Sequence, residues 1–158
     1  MSDPLEVQLG NALTERGWTL SVAETTAGGL ICARIVGVPG SSGYFDRGVV
    51  AYSKASKVDL LGVSEDLMAF HGAVSEETAV ALAEGIRRIS GAALGLAETG
   101  IAGPIRGRSP KPLGSACIAL AGPADTRSAS FVFAGNRDRI RVQIVARALE
   151  MVVAYCSM

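Results

Sequence analysis

The sequence is poor in the residues that most often bind metals or form disulfides. It holds one histidine, His71, and three cysteines, at positions 32, 117 and 156. The cysteines lie far apart and form no Cys-x-x-Cys pair, so they predict neither a structural zinc site nor a disulfide framework. We interpret His71 as a structural hydrogen-bonding residue and the cysteines as small, reduced core residues. We therefore expect neither a metal nor another cofactor.

Charge of one sign, aromatic residues and long apolar runs are also scarce. Fifteen basic and fifteen acidic residues cancel, and aromatic residues make up 5% of the chain. A neutral chain is a poor candidate for binding nucleic acid or an anionic membrane surface. No apolar run reaches the length of a membrane span, and the first residues lack the pattern of a secretory signal. The sequence thus predicts a cytoplasmic protein without nucleic-acid or membrane partners.

The residues that are abundant predict one α/β domain over residues 1–158. Hydrophobic residues make up 49% of the chain, which is long enough to bury a substantial core. Helical patterns alternate with apolar, strand-like runs in the first two-thirds, which predicts a parallel sheet between helix layers. Segments 115–122 and 128–135 follow as an antiparallel hairpin. We expect four helices, short helical pieces over residues 54–71, and a mixed, mostly parallel, five-stranded sheet.

The stretch LSVAETTAGG, residues 20–29, is the first candidate site. An apolar strand leads into three polar residues and two glycines that open the next helix, namely Glu24, Thr25, Thr26, Gly28 and Gly29. Such a turn can direct backbone N–H groups at an anion and a hydroxyl at the mouth of the sheet. Taken alone, the turn is more simply explained by Thr25 or Thr26 capping the helix.

Two further polar pairs end strands of the same predicted sheet. Tyr52-Ser53 ends the predicted strand GVVAYS, which follows a predicted loop over residues 37–48, and Thr99-Gly100 ends the next predicted strand. Ligands gather at the carboxyl ends of parallel strands, so we expect these residues to face the turn and contact a ligand. Lys57 follows Tyr52 by five residues, and a nearby lysine can activate a hydroxyl nucleophile where histidine is absent. The alternative is a half-buried tyrosine beside a solvated surface lysine.

The proline-rich loop after the third predicted helix-and-strand unit carries basic side chains. Lys111 stands between two prolines, with Arg106 and Arg108 nearby. Three cations beside a strand-end site suit a phosphate or carboxylate ligand, although a solvated basic loop fits the same sequence. Arg137 and Arg141, on the last predicted helix, can either grip such a ligand or form ion pairs.

The ordered motifs resemble those of a known family. AETTAGGL, PGSSGYF, GVVAYS, LLGV, HGAVSEE, TGIAGP, KPLG and GNRDRIRVQ stand in the order found in the CinA C-terminal domain, the nicotinamide-nucleotide amidohydrolase family. The resemblance covers the chain from about Leu5 to Val153. It implies a three-layer α/β/α sandwich, a stand-alone version of the domain, and a homo-oligomer.

The resemblance also implies a reaction on a small nucleotide substrate. Family members hydrolyse the carboxamide of nicotinamide mononucleotide to a carboxylate and ammonia, using a serine nucleophile assisted by a tyrosine and a lysine. The matching positions here are Thr25, Tyr52 and Lys57. The phosphate of the nucleotide is expected near the glycine turn and Lys111, and we expect backbone N–H groups of the turn to hold the oxyanion.

The sequence departs from the family pattern at this expected site. Thr25 stands in place of the serine, Ala27 in place of a later threonine, and residues 105–108 in place of a glycine-rich, acidic loop. Threonine keeps the hydroxyl, but its methyl restricts χ1 and crowds the line of attack. Three hypotheses follow: a nicotinamide mononucleotide amidase weakened by Thr25, an inactive nucleotide- or phosphate-binding paralogue, and an amidase with a different substrate.

Overall fold

The computed structural model describes residues 2–158, in which five strands form one mixed sheet between two layers of helices. In chain order the elements are α1 (Leu5–Arg16), β1 (Leu20–Glu24), α2 (Leu30–Val36), a 3₁₀ turn (Ser41–Gly43), β2 (Phe45–Val50), α3 (Lys54–Leu61), α4 (Glu65–His71), α5 (Glu76–Ser90), β3 (Leu94–Gly100), β4 (Ser115–Ala121), β5 (Thr126–Val132) and α6 (Arg137–Cys156). Among these residues, no helix has both the length and the apolar character that crossing a bilayer requires.

The strand order in the sheet is β2-β1-β3-β4-β5. β1 pairs in parallel with both β2 and β3, while β4 is antiparallel to β3 and β5. The central strands β1, β3 and β4 are almost entirely buried, as expected of strands covered on both faces. The predicted mixed sheet and the predicted β4–β5 hairpin are therefore confirmed.

Each face of the sheet supports a separate apolar layer, because successive strand side chains point to opposite faces. On one face, Leu94 and Leu96 of β3 pack in a cluster with residues of α1, α2 and α6. On the other face, Ala97 packs with residues of α3, α4 and α5. A Cβ added at Gly95 would overlap the carbonyl oxygen of Ala83, so the small residues of this face let α5 approach the sheet closely.

Two predicted boundaries are wrong. β2 begins at Phe45, within a segment predicted to be a loop, and ends at Val50 rather than at Ser53. Its polar residues gave no apolar signal, and pairing with β1 along one edge makes the strand. β5 begins two residues earlier than predicted, because the tight link after β4 pairs Thr126 directly with Ala121.

Candidate active site

A pocket of about 290 Å³ lies at the carboxyl ends of β1 and β3 and beside the segment that follows β2. It brings together residues from all three polar clusters of the sequence, namely Thr25, Thr26, Tyr52, Lys57, Thr99 and Gly100. Its polar lining consists mainly of hydroxyls and cations. Within residues 2–158, no three His, Cys, Asp or Glu side chains are grouped as metal ligands would be.

Thr25 and Thr26 are fixed to the neighbouring strands by their hydroxyls. Thr25 Oγ1 donates to the carbonyl oxygen of Ala51, just after β2, at 3.0 Å. Thr26 Oγ1 donates to the carbonyl oxygen of Gly100, at the end of β3, also at 3.0 Å. Both residues are buried at the base of the pocket, with Thr25 7% exposed. These two hydrogen bonds therefore attach the turn after β1 to the segment after β2 and to the end of β3.

Glu24 has a different role from the expected one. Its two carboxylate oxygens accept from the N–H groups of Ile31 at 2.9 Å and Cys32 at 3.0 Å, so Glu24 caps α2. The prediction that Thr25 or Thr26 caps this helix is wrong. Glu24 is fully buried and does not line the pocket. The chain's own carboxylate thus occupies the start of α2, where an external anion was expected.

Gly28 and Gly29 shape the turn without lining the pocket. Their φ angles are +61° and +107°, which other residues rarely adopt, and they let the chain turn into α2. Arg141 of α6 braces the same turn from outside. Its guanidinium donates to the carbonyl oxygen of Thr26 at 3.0 Å and to that of Ala27 at 3.1 Å. In this structure Arg141 therefore supports the turn rather than facing the pocket.

Glu98 is the residue of this region that the sequence interpretation missed. It is fully buried on β3, and its Oε1 accepts from the N–H of Thr25 at 2.6 Å and from the N–H of Ala27 at 2.9 Å. These two amides are therefore not free to hold an oxyanion, which corrects the expectation for the turn. The available signal was an acidic residue within the otherwise apolar run AALGLAETG.

Lys57 and Tyr52 both line the pocket but differ in their exposure to solvent. Lys57 is 4% exposed, and burial lowers its pKa, while the nearby Glu98 carboxylate opposes that effect. Tyr52 is 64% exposed, and its hydroxyl accepts a long hydrogen bond of 3.5 Å from Arg137. Lys57 is thus buried and Tyr52 is open to solvent, which is the reverse of the alternative of a half-buried tyrosine beside a solvated lysine. Ser53 caps α3 by accepting from Ser56 N at 3.1 Å and does not line the pocket.

Lys111 lies outside the pocket, in contrast to the expectation that it would bind phosphate there. Its ammonium donates to the carbonyl oxygen of Val74 and lines a different groove, together with Glu76 and Ser130. The basic side chains that do line the pocket with Lys57 are Arg106 and Arg137. Arg137 is oriented by a 2.8 Å hydrogen bond to the carbonyl oxygen of Gly103.

Sequence comparison relates almost the whole chain to one family. The model of the family described as CinA C-terminal domain matches residues 2–156. A CinA-like protein of Syntrophus aciditrophicus (strain SB) is 47% identical over 156 residues, which are 98% of this chain and 37% of that relative. A putative competence-damage inducible protein of Acetivibrio thermocellus is 43% identical over 153 residues, 97% of this chain and 37% of the relative. The chain thus spans little more than a third of the length of these curated relatives.

Solved structures share the fold over their full length. A competence-damaged protein (CinA) superfamily protein from Klebsiella pneumoniae 700603 superposes with a TM-score of 0.94 at 29% identity, covering 97% of this chain and 96% of the other. The competence/damage inducible protein CihA from Agrobacterium tumefaciens gives 0.90 at 34% identity and covers 100% of both chains. These similarities confirm the three-layer fold that the sequence predicted.

Proposed function

The chain belongs to the CinA C-terminal domain family, and we propose that it hydrolyses the carboxamide of nicotinamide mononucleotide to a carboxylate and ammonia. The observation that carries the proposal is the arrangement of Thr25, Tyr52 and Lys57 around one pocket. A hydroxyl and a buried lysine at one site are the parts that a nucleophilic amidase without histidine needs. We assign this reaction to the cytoplasm, in keeping with the three free cysteines.

In the proposed reaction, Thr25 Oγ1 attacks the carboxamide carbon while its proton passes to Lys57 Nζ. The carbon–nitrogen bond then breaks, and ammonia leaves with the proton from Lys57. Water hydrolyses the resulting ester, which yields the carboxylate and restores Thr25. Burial lowers the pKa of Lys57 and so raises the neutral fraction that can accept the proton.

The other groups of the pocket suit the rest of the substrate. Arg106 and Arg137 provide two guanidinium groups for the phosphate, and Tyr52 stands beside Arg137 at the open side. Among residues 2–158, no group accepts from the N–H of Thr26. We assign the oxyanion to this amide, because Glu98 occupies those of Thr25 and Ala27.

Ammonia release from nicotinamide mononucleotide by the purified protein tests the proposal. The wild type should release ammonia, and Thr25→Ala should reduce the rate at least about a hundredfold, because the attacking oxygen is lost. Thr25→Ser should match or exceed the wild type, since it keeps the oxygen without the methyl group. Thr126→Ala is the matched control, because Thr126 lies on β5 with its hydroxyl on Glu84. A wild type as inactive as Thr25→Ala would contradict the proposal.

An inactive nucleotide-binding paralogue is the second candidate. The observation that favours it is that the Thr25 hydroxyl already donates its proton to a backbone carbonyl. Calorimetry distinguishes the candidates: binding of nicotinamide mononucleotide without ammonia release, together with activity gained in Thr25→Ser, identifies a disabled relative.

An amidase with another substrate is favoured by Ile105, which is 85% exposed at the pocket. A screen of small amides tests that alternative.

A further inference from the structure

A second pocket, of about 450 Å³, adjoins the candidate active site. This Phe70 pocket is lined by residues 69–74, at the end of α4 and just after it, and by residues 108–111 of the proline-rich loop. The two pockets share Ala73 and Val74, which line both. At about 290 Å³, the candidate active site is at the lower limit of ligand pockets, which hold about 300–1,000 Å³. A ligand larger than this first pocket can extend along the shared wall into the second.

The shared wall is held by hydrogen bonds from both sides. Thr99 of β3, which lines the candidate active site, donates from Oγ1 to the carbonyl oxygen of Ala73 at 2.8 Å. Lys111, which lines the Phe70 pocket, donates from its ammonium to the carbonyl oxygen of Val74. The wall is therefore attached to the sheet and to the proline-rich loop, and the two pockets keep a fixed relation to each other.

Phe70 provides the second pocket with a surface for stacking. Its side chain is 85% exposed, which makes it the most exposed aromatic side chain among residues 2–158. Its ring meets the imidazole of His71 in a T-shaped contact, with the ring centroids 4.8 Å apart. Single exposed apolar side chains are common on protein surfaces. An exposed ring at the wall of a pocket, beside a second ring, is however the kind of surface on which nucleobases stack.

The proline-rich loop places one arginine at each pocket. Arg106 lines the candidate active site and Arg108 lines the Phe70 pocket. Gly107 separates them with a φ of +69°, and their Cα atoms lie within about 7 Å because they are two residues apart. Among residues 2–158, neither guanidinium has a carboxylate within ion-pair distance. Two adjacent guanidinium groups without ion-pair partners suit two phosphates that are joined to each other.

The distribution of acidic residues favours the same ligand. In the described part of the chain, no Asp or Glu lines either of these two pockets. Lys111 also borders the groove of Glu76 and Glu77, and Glu77 Oε2 lies 3.7 Å from His71 Nδ1. Those carboxylates would repel a phosphate in that groove. An anionic extension of the ligand therefore fits the Phe70 pocket and not the neighbouring groove.

We propose that the chain also accepts a dinucleotide, in which nicotinamide mononucleotide is joined through a pyrophosphate to a purine nucleotide. The pyrophosphate lies between Arg106 and Arg108, and the purine stacks on Phe70. The inference rests on the proposed function for the reaction itself. Water and the carboxamide give the carboxylate and ammonia as before, and the bonds of the pyrophosphate stay intact.

Calorimetry with the full chain tests the second binding site without requiring turnover. Nicotinamide adenine dinucleotide should bind at least about tenfold more tightly than nicotinamide mononucleotide, because it adds a stacked base and a charge-assisted phosphate contact. Phe70→Leu and Arg108→Gln should each weaken dinucleotide binding about tenfold and leave the affinity for the mononucleotide unchanged. Adenosine monophosphate should compete with the dinucleotide but not with nicotinamide mononucleotide.

Two variants serve as matched controls. Phe70→Tyr keeps an aromatic ring at the pocket, so it should bind the dinucleotide as the wild type does. Arg147→Gln also removes an exposed arginine, but Arg147 lies on α6, 3.2 Å from Glu150. It should likewise leave dinucleotide binding unchanged. Because Phe70 is almost fully exposed, Phe70→Leu removes the ring without opening a cavity in the core.

The failure of this inference can be distinguished from the failure of the proposed function. If the dinucleotide binds no more tightly than the mononucleotide, if Phe70→Leu leaves its affinity unchanged, or if adenosine monophosphate displaces nicotinamide mononucleotide, the inference is wrong even when the mononucleotide is hydrolysed. If dinucleotide binding depends on Phe70 and Arg108 but neither nucleotide releases ammonia, the second site stands and the proposed function is contradicted. Where both are hydrolysed, Phe70→Leu should lower kcat/KM about tenfold for the dinucleotide alone.

Discussion

At the scale of single residues, the hydroxyl of Thr25 is both the proposed nucleophile and part of the scaffold. Its hydrogen bond to Ala51 holds the side chain in one orientation, and its methyl adds a further restriction on χ1. Attack on a substrate requires the proton to move from that carbonyl towards Lys57. The rate should therefore depend strongly on the basicity and burial of Lys57.

Replacing Lys57 tests its role as the base. Lys57→Met should reduce ammonia release by about 10²–10⁴-fold, the usual contribution of a general base. In the wild type, the rate should rise with pH as Lys57 loses its proton, with a midpoint below the ordinary lysine value of 10.5. Lys54→Met is the control, since Lys54 lies exposed on the same helix. Equal losses in the two variants would contradict the assignment.

Glu98 should also leave a signature in the pH dependence of stability. The pKa of Glu98 is raised from 4.5 to about 7, so between these values the folded protein holds a proton that the unfolded chain releases. The free energy of unfolding should consequently fall as pH rises through this window, by about 3 kcal/mol.

Urea denaturation at several pH values measures this effect against Glu98→Gln, which has no proton to lose at this position. The stability of the variant relative to the wild type should increase by about 3 kcal/mol between about pH 4 and about pH 8. A difference that stays constant with pH would show that Glu98 has an ordinary pKa in the folded protein.

At the scale of elements, the turn between β1 and α2 is fixed by side chains from three different parts of the fold. Glu24 caps the helix that follows, Glu98 of β3 accepts from the N–H of Thr25, and Arg141 of α6 donates to the carbonyl oxygen of Thr26. The glycine-rich sequence predicted the place of the turn, because strand, hydroxyls and glycines are adjacent in the chain. It could not predict the two distant partners, since their contacts exist only after the strands and α6 have packed.

The packing of α3 on α5 determines the position of Lys57. A Cβ added at Gly85 of α5 would overlap the backbone carbonyl oxygen of Leu61, at the end of α3. Gly85→Ala should therefore destabilise the protein by about 1–3 kcal/mol, although alanine favours a helix by about 0.5–1 kcal/mol. Urea denaturation measures the change.

Gly10→Ala in α1 provides the comparison for this prediction. There the added Cβ would meet the end of the Tyr44 ring, a side chain that can shift more easily than backbone. Gly10→Ala should therefore lower the free energy of unfolding by less than Gly85→Ala does. If Gly85→Ala were neutral or stabilising, α3 would not be held against α5 as closely as described.

At the scale of the whole molecule, the sheet was predictable because alternating helices and apolar strands leave few topologies to consider. The edge strand β2 was partly missed, since its polar residues carry no apolar period. The location of the pocket was predictable, because ligands gather at the carboxyl ends of parallel strands. The path of the 101–114 loop was not predictable, because a proline-rich sequence does not determine the direction in which the loop leaves the sheet. Lys111 consequently lies elsewhere, and Arg106 lines the pocket.

Self-association remains a prediction at this scale. The chain has no net charge to oppose it, and apolar side chains such as Val132 on the edge strand β5 are exposed. Light scattering of the purified protein should give a mass at least twice that of one chain. A monomer at high concentration would contradict the expectation.

The most direct test of the central claim is a crystal structure of Lys57→Met with nicotinamide mononucleotide. This variant keeps the Thr25 hydroxyl but lacks the base, so the substrate should remain intact. We expect the carboxamide carbon within about 3–3.5 Å of Thr25 Oγ1 and the phosphate beside Arg106 and Arg137. A nucleotide bound in the groove of Glu76 and Lys111, or one with its phosphate rather than its carboxamide at Thr25, would contradict the account.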